Sequence, residues 1–211
     1  MQTKLTLLGK SDAAICMVMD ILESLHVFPD IKIVNNLNLP IEHSFNNESF
    51  HWEVVDSLPQ NNKDTALGVI SPITKIKVIE ALGDHHNFIN LIHSTASISS
   101  TTRFGKAFVI NNNSSISAHT NIGHFVNINR NCSIGHHVNI GHFVSINPGV
   151  TIAGHVTIGE KTKIGMGATI LDCVTIGKNS VIGAGSLVTK NVPDNVVAYG
   201  SPCKIVRENE I

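Results

Sequence analysis

Stepping through the chain from Ile98 in strides of six meets Phe104, Ile110, Ile116, Ile122, Ile128, Ile134, Ile140, Ile146, Ile152, Ile158, Ile164, Ile170, Ile176, Ile182 and Val188. All sixteen positions carry a large apolar side chain. With 42% of the residues hydrophobic, such a run arises by chance in roughly one of 10⁶ trials. Four residues further on in each hexad stand Thr102, Phe108, Ser114, Thr120, Val126, Cys132, Val138, Val144, Val150, Val156, Thr162, Ala168, Val174, Ser180, Ser186 and Val192, small or β-branched at every place but Phe108. Glycine often follows the isoleucine, as at Gly123, Gly135, Gly141, Gly159, Gly165, Gly177 and Gly183, and a turn needing positive φ explains that choice. Each hexad therefore reads as one short strand and one corner.

Three hexads, 18 residues, close a triangular coil, and successive coils stack at the ~4.8 Å strand spacing. Ahead of the repeat the pattern changes. Lys4–Leu8 reads as a strand ending at Gly9, Ala13–Leu25 as an amphipathic helix, Ile31–Val34 and Ala66–Ile70 as strands, Ile73–Leu82 as a second helix and Phe88–Ile92 as a last strand. That alternation implies a small Rossmann-like parallel sheet with helices on its faces, an α/β domain followed by an all-β, left-handed parallel β-helix. Residues 36–64, rich in Asn, read as loop. The expected division is 1–92 for a small βαβ domain that binds the acceptor, 93–195 for the β-helix, and 196–211 for a cap over its last coil.

Composition narrows the partners. Fifteen Lys and Arg against 16 Asp and Glu give a formal charge of −1, so neither nucleic acid nor an anionic membrane is expected. The first residues lack an apolar leader with a small-residue cleavage site, and no later segment has the apolar length to cross a bilayer, which predicts a cytoplasmic protein. Cys16, Cys132, Cys173 and Cys203 show no metal spacing and are expected to be reduced packing residues.

The hexad pattern resembles the hexapeptide-repeat acyltransferases, and that resemblance implies a homotrimer with acyl-CoA bound between neighbouring subunits. The order of αβ domain, Leu91-Ile-His-Ser-Thr-Ala-Ser-Ile98 junction, β-helix and Gly200-Ser-Pro-Cys-Lys204 tail is similar to one family over nearly the whole chain. It contains the sialic acid O-acetyltransferases and the N-acetyltransferases of nucleotide-linked 4-amino-4,6-dideoxy sugars such as the bacillosamine precursor. Its members carry His followed by Asp or Glu, then Ile-Gly, then Pro-Gly. The matching run here is His136-His-Val-Asn-Ile-Gly-His-Phe-Val-Ser-Ile-Asn-Pro-Gly-Val-Thr-Ile-Ala-Gly154.

By that match His136 stands at the family's catalytic base, and imidazole suits proton removal from an attacking amine or hydroxyl near pH 7. The amide of Gly154 is the candidate for polarising the thioester carbonyl. Two departures stand out: His137 replaces the acid, which makes it a modulator of the base, and Ser145 replaces a cofactor-side His. Without an adjoining carboxylate, His136 is expected to be a weaker base than in relatives, which favours an amine acceptor over an alcohol. The resemblance also sets Met166, Gly167 and Ala184 along the pantetheine arm of acetyl-CoA. Lys190 and Lys204 are either CoA-phosphate partners or solvated side chains. In the first domain the family's Gly-x-Ser-Gly-His-Gly turn is reduced to Gly9-Lys-Ser-Asp-Ala-Ala14. Of that turn Gly9 and Ser11 survive while the later glycines and the His are gone, which weakens the close approach of backbone to a pyrophosphate; Lys10 is expected to replace lost amide contacts, and Asn35 and Asn36 fall where relatives have acids toward the base or ribose.

The sequence holds 12 histidines, and coil position sorts them. His119, His137 and His155 are expected to stack at one corner, and His124 and His142 at another, either as a product of repeat duplication or as part of a site. A γ-carbonic-anhydrase-like metal site is the alternative of another class. Its missing ligand would fall on Thr101 or Gly83, leaving only His119, His155 and Glu160, so no metal is expected. The reading is an acetyl-CoA-dependent N-acetyltransferase acting on the 4-amino group of a nucleotide-linked deoxyamino sugar for bacterial surface glycans. O-acetylation of a sialic or related sugar and a non-catalytic trimeric scaffold remain alternatives.

Overall fold

The computed structural model describes residues 4–34, 51–55, 64–82 and 86–210. The chain divides into two compact units, Met1–Ser94 and Thr95–Ile211.

The first unit is a parallel sheet of β1 (Lys4–Leu8), β2 (Asp30–Val34), β3 (His51–Val55) and β4 (Asp64–Leu67) in the order β3-β2-β1-β4, with helices α1 (Asp12–Ser24) and α2 (Pro72–Leu82). Leu5, Thr6, Leu7 and Leu8 are all buried, as a central parallel strand covered on both faces requires. Helix α1 buries Ala14, Ile15, Met17, Val18, Ile21 and Leu22, the i, i+3, i+4, i+7 stripe that faces a core. Strand β3 corrects the expected loop over 36–64. It pairs with β2 from Asp30↔His51 to Val34↔Val55, and Lys32 meets Glu53 at 3.1 Å. Its Trp, Val and Val are strand formers, but the polar stretches around them hide a short edge strand. The last expected strand shrinks to Leu91–Ile92, with Phe88 in a single bridge to Thr65.

The second unit has a two-residue strand every six residues from Ser97–Ile98 to Leu187–Val188. Each strand up to Thr169–Ile170 pairs with the one a coil later, as in Asn121↔Asn139 and Ile122↔Ile140, and the strands form three parallel sheets wound as a left-handed β-helix. The second residue of each strand points inward. From Ile110 to Val188 these side chains are at most 4% exposed, each contributing about 1.5–3 kcal/mol of burial. Phe104 departs from the series: it is 37% exposed and stacks on Phe108 at 4.4 Å, because the first coil has a neighbouring coil on one side only.

Four polar residues at the second inward position are bonded to the next corner. Ser114 Oγ donates to the Asn129 carbonyl at 2.7 Å, Thr120 Oγ1 to Gly135 at 2.9 Å, Thr162 Oγ1 to Gly177 at 2.7 Å and Ser180 Oγ to Pro193 at 2.8 Å. Small hydroxyls are therefore tolerated in the core because a carbonyl lies within reach.

The corners correct the expected role of glycine. The left-handed residue of each corner is mostly not glycine: His119, Phe125, Asn131, His137, Phe143, His155, Lys161, Cys173 and Asn179 all have φ between 51° and 62°. The glycines after the isoleucines do not adopt positive φ. They are needed because the next coil passes too close for a side chain: a Cβ on Gly141 would fall 2.6 Å from the Glu160 amide nitrogen, and one on Gly123 2.8 Å from the Gly141 carbonyl carbon. Cysteine packing is also corrected. Cys132 is buried with Sγ 3.2 Å from the Asn147 carbonyl, whereas Cys16 and Cys173 are exposed.

At the far end Val196–Tyr199 pairs with Val181–Ile182 and turns through a cis Ser201–Pro202 bond into the antiparallel strand Lys204–Glu208. Leu187 N–H donates to the Gly200 carbonyl at 3.0 Å and Cys203 N–H to the Leu187 carbonyl at 2.8 Å. The tail thus satisfies the last coil's backbone groups. Among the described residues no helix is long and apolar enough to cross a membrane.

Candidate active site

His136 and His137 share one corner, between the strands Ser133–Ile134 and Asn139–Ile140. Both side chains are exposed, and their Nδ1 atoms lie 3.1 Å apart. One coil later the same corner carries Gly154 and His155. The His136 ring rests on Gly154, where a Cβ would fall 2.7 Å from Cε1 and 2.8 Å from Nε2. The His155 amide donates to the His136 carbonyl at 2.9 Å. Candidate base and candidate carbonyl-polarising amide are therefore stacked neighbours, brought together by the register of the coil.

His119, His137 and His155 form the expected column. His137 and His155 are stacked at 4.9 Å and 15°, and His119 lies 4.8 Å from His137 at 42°. His136 meets His155 edge-on at 5.0 Å. Loss of water beside these rings, and next the positive charge that His119, His155 and His136 would add, hold the His137 imidazole below the ordinary histidine value. A neutral His137 can accept a hydrogen bond at Nδ1 from Nδ1–H of His136, which leaves the lone pair of His136 on Nε2. His137 can thus orient the His136 ring and fix its tautomer.

The second ladder is structural. His124 Nδ1 accepts from the Lys106 amide at 2.8 Å, and His142 Nδ1 from the His124 amide at 2.9 Å, with the rings stacked at 4.8 Å. Burial, then His142 and Lys106, lower the His124 pKa. The metal grouping weighed from spacing is not the one assembled: His136, His137 and His155 bring one ligand atom each within 4.8 Å of one another, without Glu160.

Met166, Gly167 and Ala184 come together, but at a different corner of the coil from His136 and Gly154. Gly167 N–H donates to the Pro148 carbonyl and Gly185 N–H to Met166, so Pro148, Met166 and Ala184 form one column. Met166 is 60% exposed, and nothing lies within 4 Å of a Cβ on Gly167 or Gly185. This open edge of one large apolar side chain among small residues fits a flexible pantetheine arm. The two corners bound the same face, whose strands include Ser133–Ile134, Thr151–Ile152 and Thr169–Ile170. Ser145 departs from the expectation: it is 1% exposed, so its hydroxyl is closed to a direct cofactor contact in the single chain. Lys190 and Lys204 are exposed.

In the first unit Gly9 has φ 78°, and a Cβ there would fall 2.8 Å from Val69 Cγ1. Ser11 is the N-cap of α1 in extended conformation, and its hydroxyl makes no capping bond. The first turn of α1 is therefore without a side-chain cap, and its backbone N–H groups are the kind of donor that binds an anion. Lys10 departs from its expected role: it is 3% exposed, with Nζ 3.9 Å from Asp12, so it is a buried cation rather than an outstretched one. Asn35 and Asn36 lie outside the described residues. Sequence reasoning missed a cleft of about 510 Å³ beside the histidine column, lined by Ser100, Thr101, Thr102, Arg103, His119 and Asn121. Its lining comes from two successive coils, and only the 18-residue register could have revealed it.

The bacterial transferase hexapeptide (six repeats) model matches residues 137–171 and 155–190. No curated protein sequence matches. Among solved structures, the chain is similar to the acetyltransferase domain of PglB from Neisseria gonorrhoeae, a complex with acetyl coenzyme A (TM-score 0.84, 23% identity, 98% of this chain and 100% of that one). It is similar also to PerB from Caulobacter crescentus, a complex with CoA and GDP-perosamine (TM-score 0.82, 25% identity, 98% of each chain). WeeI from Acinetobacter baumannii has a TM-score of 0.82 at 19% identity, over 98% of this chain and 100% of that one.

Proposed function

We propose that this chain is an acetyl-CoA-dependent N-acetyltransferase acting on the 4-amino group of a nucleotide-linked deoxyamino sugar, with His136 as general base. The observation that carries the reading is the stacking of His136 on Gly154 beside His137. Likeness over nearly the full chain to structures holding acetyl-CoA, or CoA with GDP-perosamine, supports the class of substrates.

Bound acetyl-CoA supplies the activated acetyl group. His136 Nε2, left with the lone pair by the Nδ1 contact to His137, takes a proton from the amine as the nitrogen attacks. The Gly154 N–H stabilises the carbonyl oxygen as it gains charge. Protonated His136 then returns its proton to the departing thiolate, and no acyl-enzyme forms. The cleft at Arg103 and His119 receives the sugar. Because the Met166 and Ala184 edge is a different corner from that of His136, a site closed by a neighbouring subunit's edge fits best, as in a homotrimer. The protein works in the cytoplasm on a soluble nucleotide sugar.

A thiol-release assay with acetyl-CoA and a panel of UDP-, dTDP- and GDP-linked 4-amino sugars tests the reading. One amine acceptor is expected to turn over, and His136→Ala to slow it by about 10²–10⁴-fold. A sugar hydroxyl acetylated faster than the matching amine refutes the acceptor assignment.

A further inference from the structure

We propose that His136, His137 and His155 form a binding site for an imidazole-preferring divalent cation such as Zn²⁺, and that the bound ion switches off the base. Around tetrahedral zinc, Zn–N bonds of about 2.0–2.1 Å set ligand nitrogens about 3.3 Å apart. The Nδ1 atoms of His136 and His137 already lie 3.1 Å from each other, and the trio's ligand atoms fall within 4.8 Å. The remaining gap closes by rotation of exposed rings, since His136, His137 and His155 all face solvent. The backbone holds them in place: the His155 amide is bonded to the His136 carbonyl at 2.9 Å. Three neutral imidazoles with no carboxylate select zinc, nickel, cobalt or copper over magnesium or calcium, and a fourth position is left for water.

The inhibitory consequence rests on the reading of His136 as the base. A metal on Nδ1 takes the place of the hydrogen bond to His137 and leaves the ring proton on Nε2. Such a ring has no lone pair to accept a proton from an amine. The ion is therefore a reversible brake rather than a resident catalyst.

Titration calorimetry of the untagged protein with ZnCl₂ tests the site independently of activity. The expected result is one saturable Zn²⁺ per chain. Affinity is expected to fall by at least about tenfold in His155→Asn and to be unchanged in His119→Asn, whose ring is in the column but outside the trio. Asparagine tolerates the left-handed conformation of both positions, and far-UV circular dichroism checks folding. No saturable binding, or equal affinity in His155→Asn, overturns the site. In parallel, Zn²⁺ is expected to inhibit thiol release, reversed by EDTA, with each variant compared to its own metal-free rate. Zinc that binds with this residue dependence while turnover continues leaves the site standing and refutes the assignment of His136 as base.

Discussion

The imidazole of His136 occupies the space that a side chain at position 154 would need: a Cβ on Gly154 lies 2.7 Å from Cε1. Gly154 does not adopt positive φ, so alanine suits its backbone, and the added methyl meets the His136 ring first. Gly154→Ala is expected to lower kcat/KM by roughly 10²-fold through misplacement of the base, with a nearly unchanged melting temperature. Adding it to His136→Ala should cost almost nothing further, because both changes remove one function. Independent losses in the double variant would separate the two residues.

His137→Asp restores the family acid at a left-handed position, φ 58°, that Asp tolerates well. A carboxylate beside His136 favours its protonated form. The acid limb of the kcat/KM profile is expected to move to higher pH, and the plateau rate to rise several-fold by a stronger base. A profile that stays in place would mean that His137 and His136 do not communicate.

Two kinds of corner residue respond oppositely to exchange of glycine. Gly141→Ala drives a methyl into the Glu160 backbone 2.6 Å away and is expected to cost at least about 2 kcal/mol. Lys161→Gly, at φ 62°, relieves left-handed strain while adding chain entropy, and should stay within about 1 kcal/mol of wild type. Denaturant melts of the two variants provide the comparison.

Stability should decline on acidification through the histidine range. Burial beside His142 and Lys106 holds the folded pKa of His124 below the ordinary histidine value, so below about 6.5 the unfolded chain binds more protons and folding weakens. The penalty is absent near pH 8, begins as pH falls through about 6.5, and is complete once pH passes below the folded value. Protonation also removes the acceptor for the Lys106 amide. His124→Asn is expected to flatten the melting temperature against pH between about 7 and 5; an unchanged slope would place the effect elsewhere.

The β-helix was legible because its signal is local and repeated: the inward isoleucines and the 18-residue histidine column follow from counting. The same counting could have separated Met166 from His136, since 30 residues is not a whole number of coils. Other features depend on what lies across the coil. Gly141 and Lys161 exchange the roles that single-residue propensity would assign, because the limiting quantity is the distance to Glu160 and not φ. Ser145 and Lys10 appear in the sequence as polar residues facing a ligand, and the packing around them closes both off. The trio of His136, His137 and His155 escapes a count of metal spacing between corners, because all three stand at one corner. Strand β3 was lost in its polar surroundings.

The pairing of Asn121 with Asn139, one coil apart, has a consequence for how such a chain tolerates length changes. A deletion of 18 residues within the solenoid shortens it by one storey and returns every later residue to its own edge. A deletion of six keeps each strand intact yet turns everything beyond it by a third of a revolution, carrying Met166 and Ala184 to another edge of the coil. Descent within this fold is therefore free to change height and constrained in phase, and a hexad gained or lost between His136 and Met166 would preserve the architecture while changing the edge on which the two stand relative to each other.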